Sequence, residues 1–190
     1  MIPPLNTFLL VLAAIFPVVN PPGSALVFLG LTRGVTPETR RILAWRVARN
    51  SFFVLVCSLL LGALILEFYG ISIPVLRVAG GFIVAVAGWK LLSEGSQKEL
   101  EASADGVSRT DPLDQAFYPL TLPLTTGPGT IAVDISLGLS KASSVNSTEE
   151  ILFEIATLSA VVVIAATIFL CFAYADRIQN CSAPAAPTSP

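Results

Sequence analysis

Thr125-Thr126-Gly127-Pro128-Gly129-Thr130 is a short polar segment, rich in helix-breaking residues, inside an otherwise apolar run. A similar segment, Val19-Asn20-Pro21-Pro22-Gly23-Ser24, interrupts an apolar run near the N-terminus. Displacing the sequence by 106 residues superimposes like residues of the two segments: Pro17 on Pro123, Pro22 on Pro128, Gly23 on Gly129 and Ser24 on Thr130. Matching interruptions in two apolar segments are typical of transporters whose binding site lies near the bilayer middle.

The composition is that of a membrane protein. Of the 190 residues, 54% are hydrophobic and 13% are charged, whereas soluble domains carry about 25% charged residues. The net charge is −2, and no basic patch indicates a nucleic-acid partner. Histidine, the commonest general base and a common metal ligand, is absent. Because Cys57, Cys171 and Cys181 lack metal-binding spacing, we expect no metal and no cofactor.

Five apolar segments are long enough to cross a bilayer as helices, which takes about 20 residues. They cover approximately residues 5–31, 42–66, 71–92, 117–139 and 151–175. The first contains a proline-rich interruption, so we expect two half-helices there. The polar residues 93–116 predict a central loop, and the Pro/Ala/Ser-rich residues 176–190 predict a disordered tail. The expected fold class is therefore an all-α membrane protein, a polytopic helical bundle.

The same displacement predicts an internal repeat. It moves segment 42–66 to 148–172, close to the fifth apolar segment, but moves 71–92 to 177–198, where the sequence is polar and rich in proline. We therefore expect residues 1–92 to form a three-helix repeat and residues 117–175 a second repeat that lacks its last helix. Because each repeat would hold an odd number of spans, the two copies should be inverted in the membrane.

The basic residues outside the spans or near their ends predict the orientation. Lys141 alone would lie on one side, and all the others on the opposite side: Arg33, Arg40, Arg41, Arg46, Arg49, Lys90, Lys98, Arg109 and Arg177. Cytoplasmic loops carry the excess of Lys and Arg. The N-terminus is thus expected outside the cell, with the central loop and the tail in the cytoplasm. The cluster from Arg40 to Arg49 is expected to fix this topology and to contact anionic lipids.

Three stretches resemble the MarC family of bacterial integral membrane proteins. They are Asn20-Pro21-Pro22-Gly23 with the following Ala25-Leu26-Val27-Phe28-Leu29, Leu76-Arg77-Val78-Ala79-Gly80-Gly81, and Tyr118-Pro-Leu-Thr-Leu-Pro-Leu-Thr-Thr-Gly-Pro-Gly-Thr130. The resemblance covers roughly residues 5–178. It implies a multi-pass protein of the bacterial inner membrane with six spans, placed beside the LysE-type amino-acid exporters. The chain departs from that pattern after Asp176, as a truncated or frame-shifted end would.

The two interruptions predict a binding site. Asn20 is a suitable N-cap before Pro21, and Thr126 or Gly127 can cap a second half-helix that starts near Pro128. Both half-helices would then present unpaired N–H groups and a positive dipole end to an anion near the bilayer middle. The candidate solute-binding residues are Asn20, Pro22, Gly23, Ser24, Thr125, Thr126, Gly127, Pro128, Gly129 and Thr130. The alternative is that proline and glycine only kink two long spans.

Two charged residues lie inside predicted spans. Arg77 and Asp134 each fall five to six residues from the outer end, or roughly 8–9 Å below it at ~1.5 Å per residue. Arg77 shares a helix face with Gly81 and Ala85, and Asp134 shares one with Gly138, so both are expected to point into protein. We predict an intramembrane ion pair, which would either gate transport or only fix the helix register.

The function expected from these features is that of a small-solute transporter for an amino-acid-like or anionic solute. A non-transporting scaffold or accessory subunit is one alternative, and an inactive truncated paralogue is another. An enzyme is not expected, because the sequence has no histidine, no carboxylates paired at one depth and no nucleophile–base pattern. The expected partners are the lipid bilayer and a small solute, and a second copy of the chain could close the open flank of the bundle.

Overall fold

The computed structural model describes residues 4–32, 34–72, scattered positions from 74 to 89, and residues 113–118, 120–139 and 147–177. Throughout this part the regular structure is helical. The longer helices are α1 (Pro4–Val19), α2 (Pro21–Leu31), α3 (Pro37–Phe68), α4 (Pro128–Leu139) and α5 (Ser147–Ala173). A 3₁₀ turn at Asp114–Ala116 and a π-helical segment at Leu120–Thr125 precede α4. The prediction of an all-helical membrane fold is confirmed at this level.

Three helical stretches in the described part are long and apolar enough to cross a membrane. They are Pro4–Leu31, which includes both α1 and α2, Pro37–Gly62 and Ile151–Ala173. The predicted span at 117–139 is irregular in its first half and regular only in α4. The predicted span at 71–92 lies partly outside the described residues, as do nearly all of the loop 93–116 and the tail 176–190. The inverted repeat therefore stays a prediction.

The start of α3 lies five residues before the predicted span. Thr36 is the N-cap, and its Oγ1 accepts a hydrogen bond of 3.3 Å from the Thr39 N–H. Pro37 fills the first helical position, where its missing N–H costs nothing, and Glu38 adds a negative charge near the positive helix end. These local signals extend the helix beyond the apolar segment, through the basic residues that precede it.

The helix α5 forms the centre of the described bundle. It packs against α1, α2 and α3, while α3 also packs against the π-helical segment and α4. Phe28 of α2 and Phe172 of α5 stack with ring centroids 4.6 Å apart, and both side chains are fully buried. Many large apolar side chains on the outer faces of α3 and α5 are exposed, among them Phe53, Leu64, Ile155 and Leu170. Such a surface suits contact with lipid.

The closest approach of α3 and α4 occurs at two glycines. A Cβ added to Gly138 would lie 2.6 Å from the carbonyl oxygen of Leu59, and a Cβ on Gly62 would lie 2.5 Å from the side chain of Ile135. Small residues at helix contacts let two backbones approach within a membrane, where packing rather than hydrophobicity drives association. The two glycines therefore set the distance between α3 and α4.

Arg40 connects the ends of three helices. Its Nη1 contacts both carboxylate oxygens of Asp176, at 2.9 and 2.8 Å, and its Nη2 donates to the Thr32 carbonyl at 3.2 Å. Thr32 ends α2, Arg40 lies in the first turns of α3, and Asp176 follows α5. Whereas the sequence places Arg40 in a general basic cluster, the structure gives this side chain a specific set of partners.

We expect Arg40→Ala to lower the stability of the protein by about 0.5–1 kcal/mol, the upper range for a partly exposed ion pair. The Arg40 side chain is 14% exposed but that of Asp176 is 63% exposed, so solvent screens the pair. The neighbouring Arg41 is exposed, and Arg41→Ala is the matched control. Thermal unfolding in detergent should separate the two variants. Equal melting temperatures would contradict a structural role for the Arg40 contacts.

Candidate functional site

The first break lies at Asn20, between α1 and α2. Asn20 has a left-handed backbone (φ 44°, ψ 63°), the sole non-glycine residue with positive φ in the described part of the chain. Its Oδ1 accepts a hydrogen bond of 3.3 Å from the Gly23 N–H. Asparagine tolerates this backbone because its short side chain hydrogen-bonds locally. Pro17, by contrast, lies within α1 without ending it.

In the first turn of α2, the backbone N–H groups are either absent or already hydrogen-bonded. Pro21 and Pro22 have no N–H, and the N–H of Gly23 is bound by the Asn20 side chain. The N–H of Ser24 donates to the Asn20 carbonyl at 2.9 Å. The expectation that α2 presents unpaired N–H groups to an anion therefore does not hold for these four residues. Only the dipole of the helix remains at this end.

The second break is spread over several residues. Within the π-helical segment, Leu122 is extended (φ −113°, ψ 124°), so a continuous helix is interrupted there. Three threonine hydroxyls donate to carbonyls five residues earlier: Thr121 to Ala116 at 2.6 Å, Thr125 to Leu120 at 2.7 Å and Thr126 to Thr121 at 3.0 Å. Side-chain hydroxyls thus satisfy carbonyls at the break, as the apolar interior of a membrane requires.

The start of α4 differs from the start of α2. Ile131 N–H donates to the Gly127 carbonyl at 3.1 Å, so Gly127 is the N-cap. Glycine has no side chain that could accept from the first turn, and Pro128 has no N–H. The N–H groups of Gly129 and Thr130 are therefore the first-turn donors, and both residues are buried. Of the two helix starts, α4 is the one suited to bind an anion.

The two breaks meet in space through Ser24. The Ser24 Oγ lies 3.0 Å from the carbonyl oxygen of Val19 and 3.5 Å from that of Leu124. Val19 precedes the first break and Leu124 lies in the second, and α2 packs against the π-helical segment. The sequence predicts that the breaks occupy matching places in two halves. The structure adds that one buried hydroxyl contacts both.

The predicted site residues differ in burial. Five are buried: Ser24, Thr125, Thr126, Gly129 and Thr130. The others are intermediate or exposed: Asn20, Pro22, Gly23, Gly127 and Pro128. The buried residues supply the hydroxyls and the first-turn N–H groups of α4. The less buried residues are the asparagine, prolines and glycines that interrupt the helices. Binding groups and break-forming groups are thus largely separate residues.

Asp134 is fully buried, one helical turn beyond Thr130 in α4. Neither carboxylate oxygen has a hydrogen-bond partner within the described part of the chain. Arg77, the predicted partner of Asp134, lies outside the described residues, so the ion pair stays a prediction. A buried carboxylate without a partner is costly in an apolar setting and marks a functional position by default.

Ser51 of α3 was not singled out from the sequence. Its side chain is fully buried, and its Oγ also lacks a hydrogen-bond partner among the described residues. The helix α3 contacts the chain on both sides of the second break. Arg46 Nη1 donates to the carbonyl of Leu113, which precedes the break, at 3.2 Å, and Gly62 packs on Ile135, which follows it. Ser51 lies between these two contacts along α3, beside the second break. A polar side chain inside the predicted span 42–66 was the signal that could have found it.

Three helical stretches that are long and apolar enough to cross a bilayer, together with two backbone breaks, are the features of a polytopic integral membrane protein. The chain belongs to the MarC family, since the model of the MarC family integral membrane protein matches residues 5–181. The family resemblance seen in the sequence is thereby confirmed.

Named relatives are similar over about two thirds of the chain. The membrane protein YvbG of Bacillus subtilis is 37% identical over 129 residues, which are 67% of this chain and 61% of YvbG. The inner membrane protein MarC of Escherichia coli is 35% identical over 131 residues, 66% of this chain and 58% of that protein. The chain thus spans about 60% of the length of these relatives. No solved structure matches it.

Proposed function

We propose that this MarC-family protein is a transporter of the bacterial inner membrane that binds a small amino-acid-like or anionic solute where its two helix breaks meet. The observation that carries the proposal is the Ser24 hydroxyl, which contacts carbonyls of both breaks. Two independent kinks would have no reason to be adjacent. Irregular backbone at membrane depth is tolerated where it is enclosed by protein or lines a polar cavity.

The contact between the breaks is also weak. The Ser24 hydroxyl is 3.5 Å from the Leu124 carbonyl, at the outer limit of a hydrogen bond, but 3.0 Å from its own Val19 carbonyl. A solute group that enters between the breaks would displace the longer bond while the shorter one remains. Alternating access needs such a separable contact between two parts of a bundle.

The start of α4 supports an anionic group on the solute. Gly129 and Thr130 supply buried N–H groups at the positive end of the helix dipole. The proposed orientation follows the basic residues: the N-terminus outside and the central loop in the cytoplasm. The proposed protein has five spans arranged as inverted repeats, and it has no catalytic activity. The proximity of the two breaks supports the repeat.

Ser24→Ala is expected to lower solute uptake by about fivefold, the effect of losing one ordinary hydrogen bond. The assay is uptake of radiolabelled amino acids and short carboxylates by proteoliposomes. Ser159→Ala is the matched control, because the Ser159 hydroxyl donates to the Ala156 carbonyl at 2.7 Å within α5 and outside the breaks. Uptake that is equal in both variants would exclude the break contact from transport. Uptake of no solute by the unaltered protein, with stable partners in a pull-down, would favour a scaffold instead.

A further inference from the structure

We infer that Asp134 belongs to the solute site and binds a cationic group, so that the solute is a zwitterion with an anionic group and an ammonium group. This inference rests on the proposed function and deepens it. It adds to the site a residue whose predicted role was an ion pair with Arg77. Of the two solute classes in the proposed function, amino-acid-like and purely anionic, it favours the amino-acid-like class.

The geometry of α4 directs Asp134 towards the start of the helix. Asp134 follows Thr130 by four residues, so both lie on one face, about 6 Å apart along the axis at 1.5 Å per residue. Side chains of an α-helix lean towards its N-terminus. The Asp134 carboxylate therefore extends over the turn that carries the Gly129 and Thr130 N–H groups. A small zwitterion placed over this turn could therefore contact the first-turn N–H groups and the Asp134 carboxylate at once.

Among the described residues, the helices packed against α4 provide Asp134 with no cation. Helix α1 contains no ionisable side chain. On α3, Arg46 donates to the Leu113 carbonyl, and Arg49, Cys57 and Glu67 are exposed. The fully buried carboxylate of Asp134 therefore has no hydrogen-bond partner among the described residues, which is unfavourable in a membrane interior. A bound ammonium group would pair with this carboxylate and can donate up to three hydrogen bonds.

The hydroxyls around the breaks complement an ammonium better than an anion. The protons of Ser24, Thr121, Thr125 and Thr126 are all directed at backbone carbonyls. These oxygens can still accept hydrogen bonds, but they have no proton left to donate to an anion. The α4 N–H groups are thus donors for a carboxylate, as is the Ser51 hydroxyl, which lacks a partner among the described residues, whereas these four hydroxyls serve as acceptors.

A solute with only a negative charge fits this arrangement poorly. It would be bound by the first turn of α4 but would leave the Asp134 carboxyl, one turn away, without a hydrogen-bond partner among the described residues. A solute with only a positive charge would leave the α4 N–H groups unused. A zwitterion satisfies both ends at once and brings no net charge into the membrane interior.

The test compares matched solutes with the purified full-length chain in detergent. Each set contains an amino acid, the carboxylic acid without its amino group and the amine without its carboxylate. Suitable sets are alanine, propionate and ethylamine; leucine, 4-methylpentanoate and isoamylamine; and phenylalanine, 3-phenylpropionate and phenethylamine. Thermal shifts measured against concentration give the affinity of each probe for the unaltered protein and for Asp134→Asn.

We expect one amino acid to bind more tightly than both of its analogues, and Asp134→Asn to weaken that binding by more than about tenfold. The affinity for the matching carboxylate should stay about the same, because this probe has no ammonium group for Asp134 to bind. Carboxylates that bind as tightly as amino acids, with no effect of Asp134→Asn, would overturn the inference and leave the proposed function intact. No binding by any probe would overturn both.

A second measurement uses the unaltered protein, in case Asp134→Asn does not fold. Dicyclohexylcarbodiimide modifies carboxyl groups in apolar surroundings, and mass spectrometry would report labelling at Asp134, with the exposed Glu67 as an internal reference. The amino acid should protect Asp134 several-fold more than its deaminated analogue does. Equal protection would overturn the inference. So would recovery of an unfolded Asp134→Asn variant by Arg77→Gln, because Asp134 would then be part of a structural pair.

Discussion

Gly138→Ala is expected to push α3 and α4 apart and to destabilise the protein by about 1–3 kcal/mol, as overpacking of a close contact does. The added Cβ would lie 2.6 Å from the carbonyl oxygen of Leu59, and a backbone atom cannot rotate away as a side chain can. Alanine favours a helix over glycine by about 1 kcal/mol. A net loss would therefore show that the close approach outweighs helix propensity.

Gly81→Ala is the matched control for this substitution. A Cβ built on Gly81 meets no other described part of the chain within 4 Å, so this change should be neutral or slightly stabilising through helix propensity alone. Gly62→Ala should fall between the two, because the neighbour of its Cβ is the Ile135 side chain, which can shift in part. Thermal unfolding in detergent would rank the three variants. Equal stability of Gly138→Ala and Gly81→Ala would contradict the close packing of α3 and α4.

The same contact bears on the solute site. Gly138 lies one turn beyond Asp134 on one face of α4, and Asp134 lies one turn beyond Thr130. A displacement of α4 from α3 would therefore open the buried region around Asp134 to solvent or lipid. Gly138→Ala should weaken solute binding as well as stability, whereas the Arg40→Ala change at the helix ends should affect stability alone.

The sequence was sufficient to locate the break at Asn20 and the start of α4, because their causes are local, but the extended Leu122 lies before the predicted segment 125–130. Proline removes a backbone donor and glycine relaxes the backbone wherever they occur. The long apolar segments predicted the helical fold for a similar reason, since only helices satisfy the backbone within one apolar segment. The start of α3 was missed by five residues, because capping by Thr36 and Pro37 outweighed the end of the apolar pattern.

The properties that decide ligand chemistry depend on individual hydrogen bonds, both local and tertiary, which the sequence pattern did not predict. Two similar motifs predicted two similar anion sites, but Asn20 closes the start of α2 while Gly127 leaves the start of α4 open. In the π-helical segment, threonine hydroxyls donate to carbonyls five residues back. The contact of Ser24 with Leu124 joins residues 100 positions apart, and no local pattern encodes that distance.

Asn20→Ala should cost the protein about 2 kcal/mol or more and should strongly reduce solute uptake. A left-handed backbone costs alanine about 1–2 kcal/mol, and loss of an N-cap acceptor adds about 0.5–2 kcal/mol. Asn20→Gly separates these terms, because glycine adopts φ 44° without strain and replaces a cap at a cost of only a few tenths of a kcal/mol. The measurements are thermal unfolding in detergent and proteoliposome uptake of the probes that the unaltered protein accepts.

The comparison of the two variants also tests the simplest alternative, that the break is only a passive kink. If the left-handed turn at Asn20 places Ser24 against the second break, Asn20→Gly should retain most of the uptake, since the backbone path is kept. Asn20→Ala should lose uptake, because a right-handed backbone at this position would redirect α2 and separate Ser24 from Leu124. A passive kink predicts that uptake in the two variants is the same even though their stabilities differ. Equal uptake would therefore remove the Asn20 break from the solute site and leave the start of α4 as its only helix terminus.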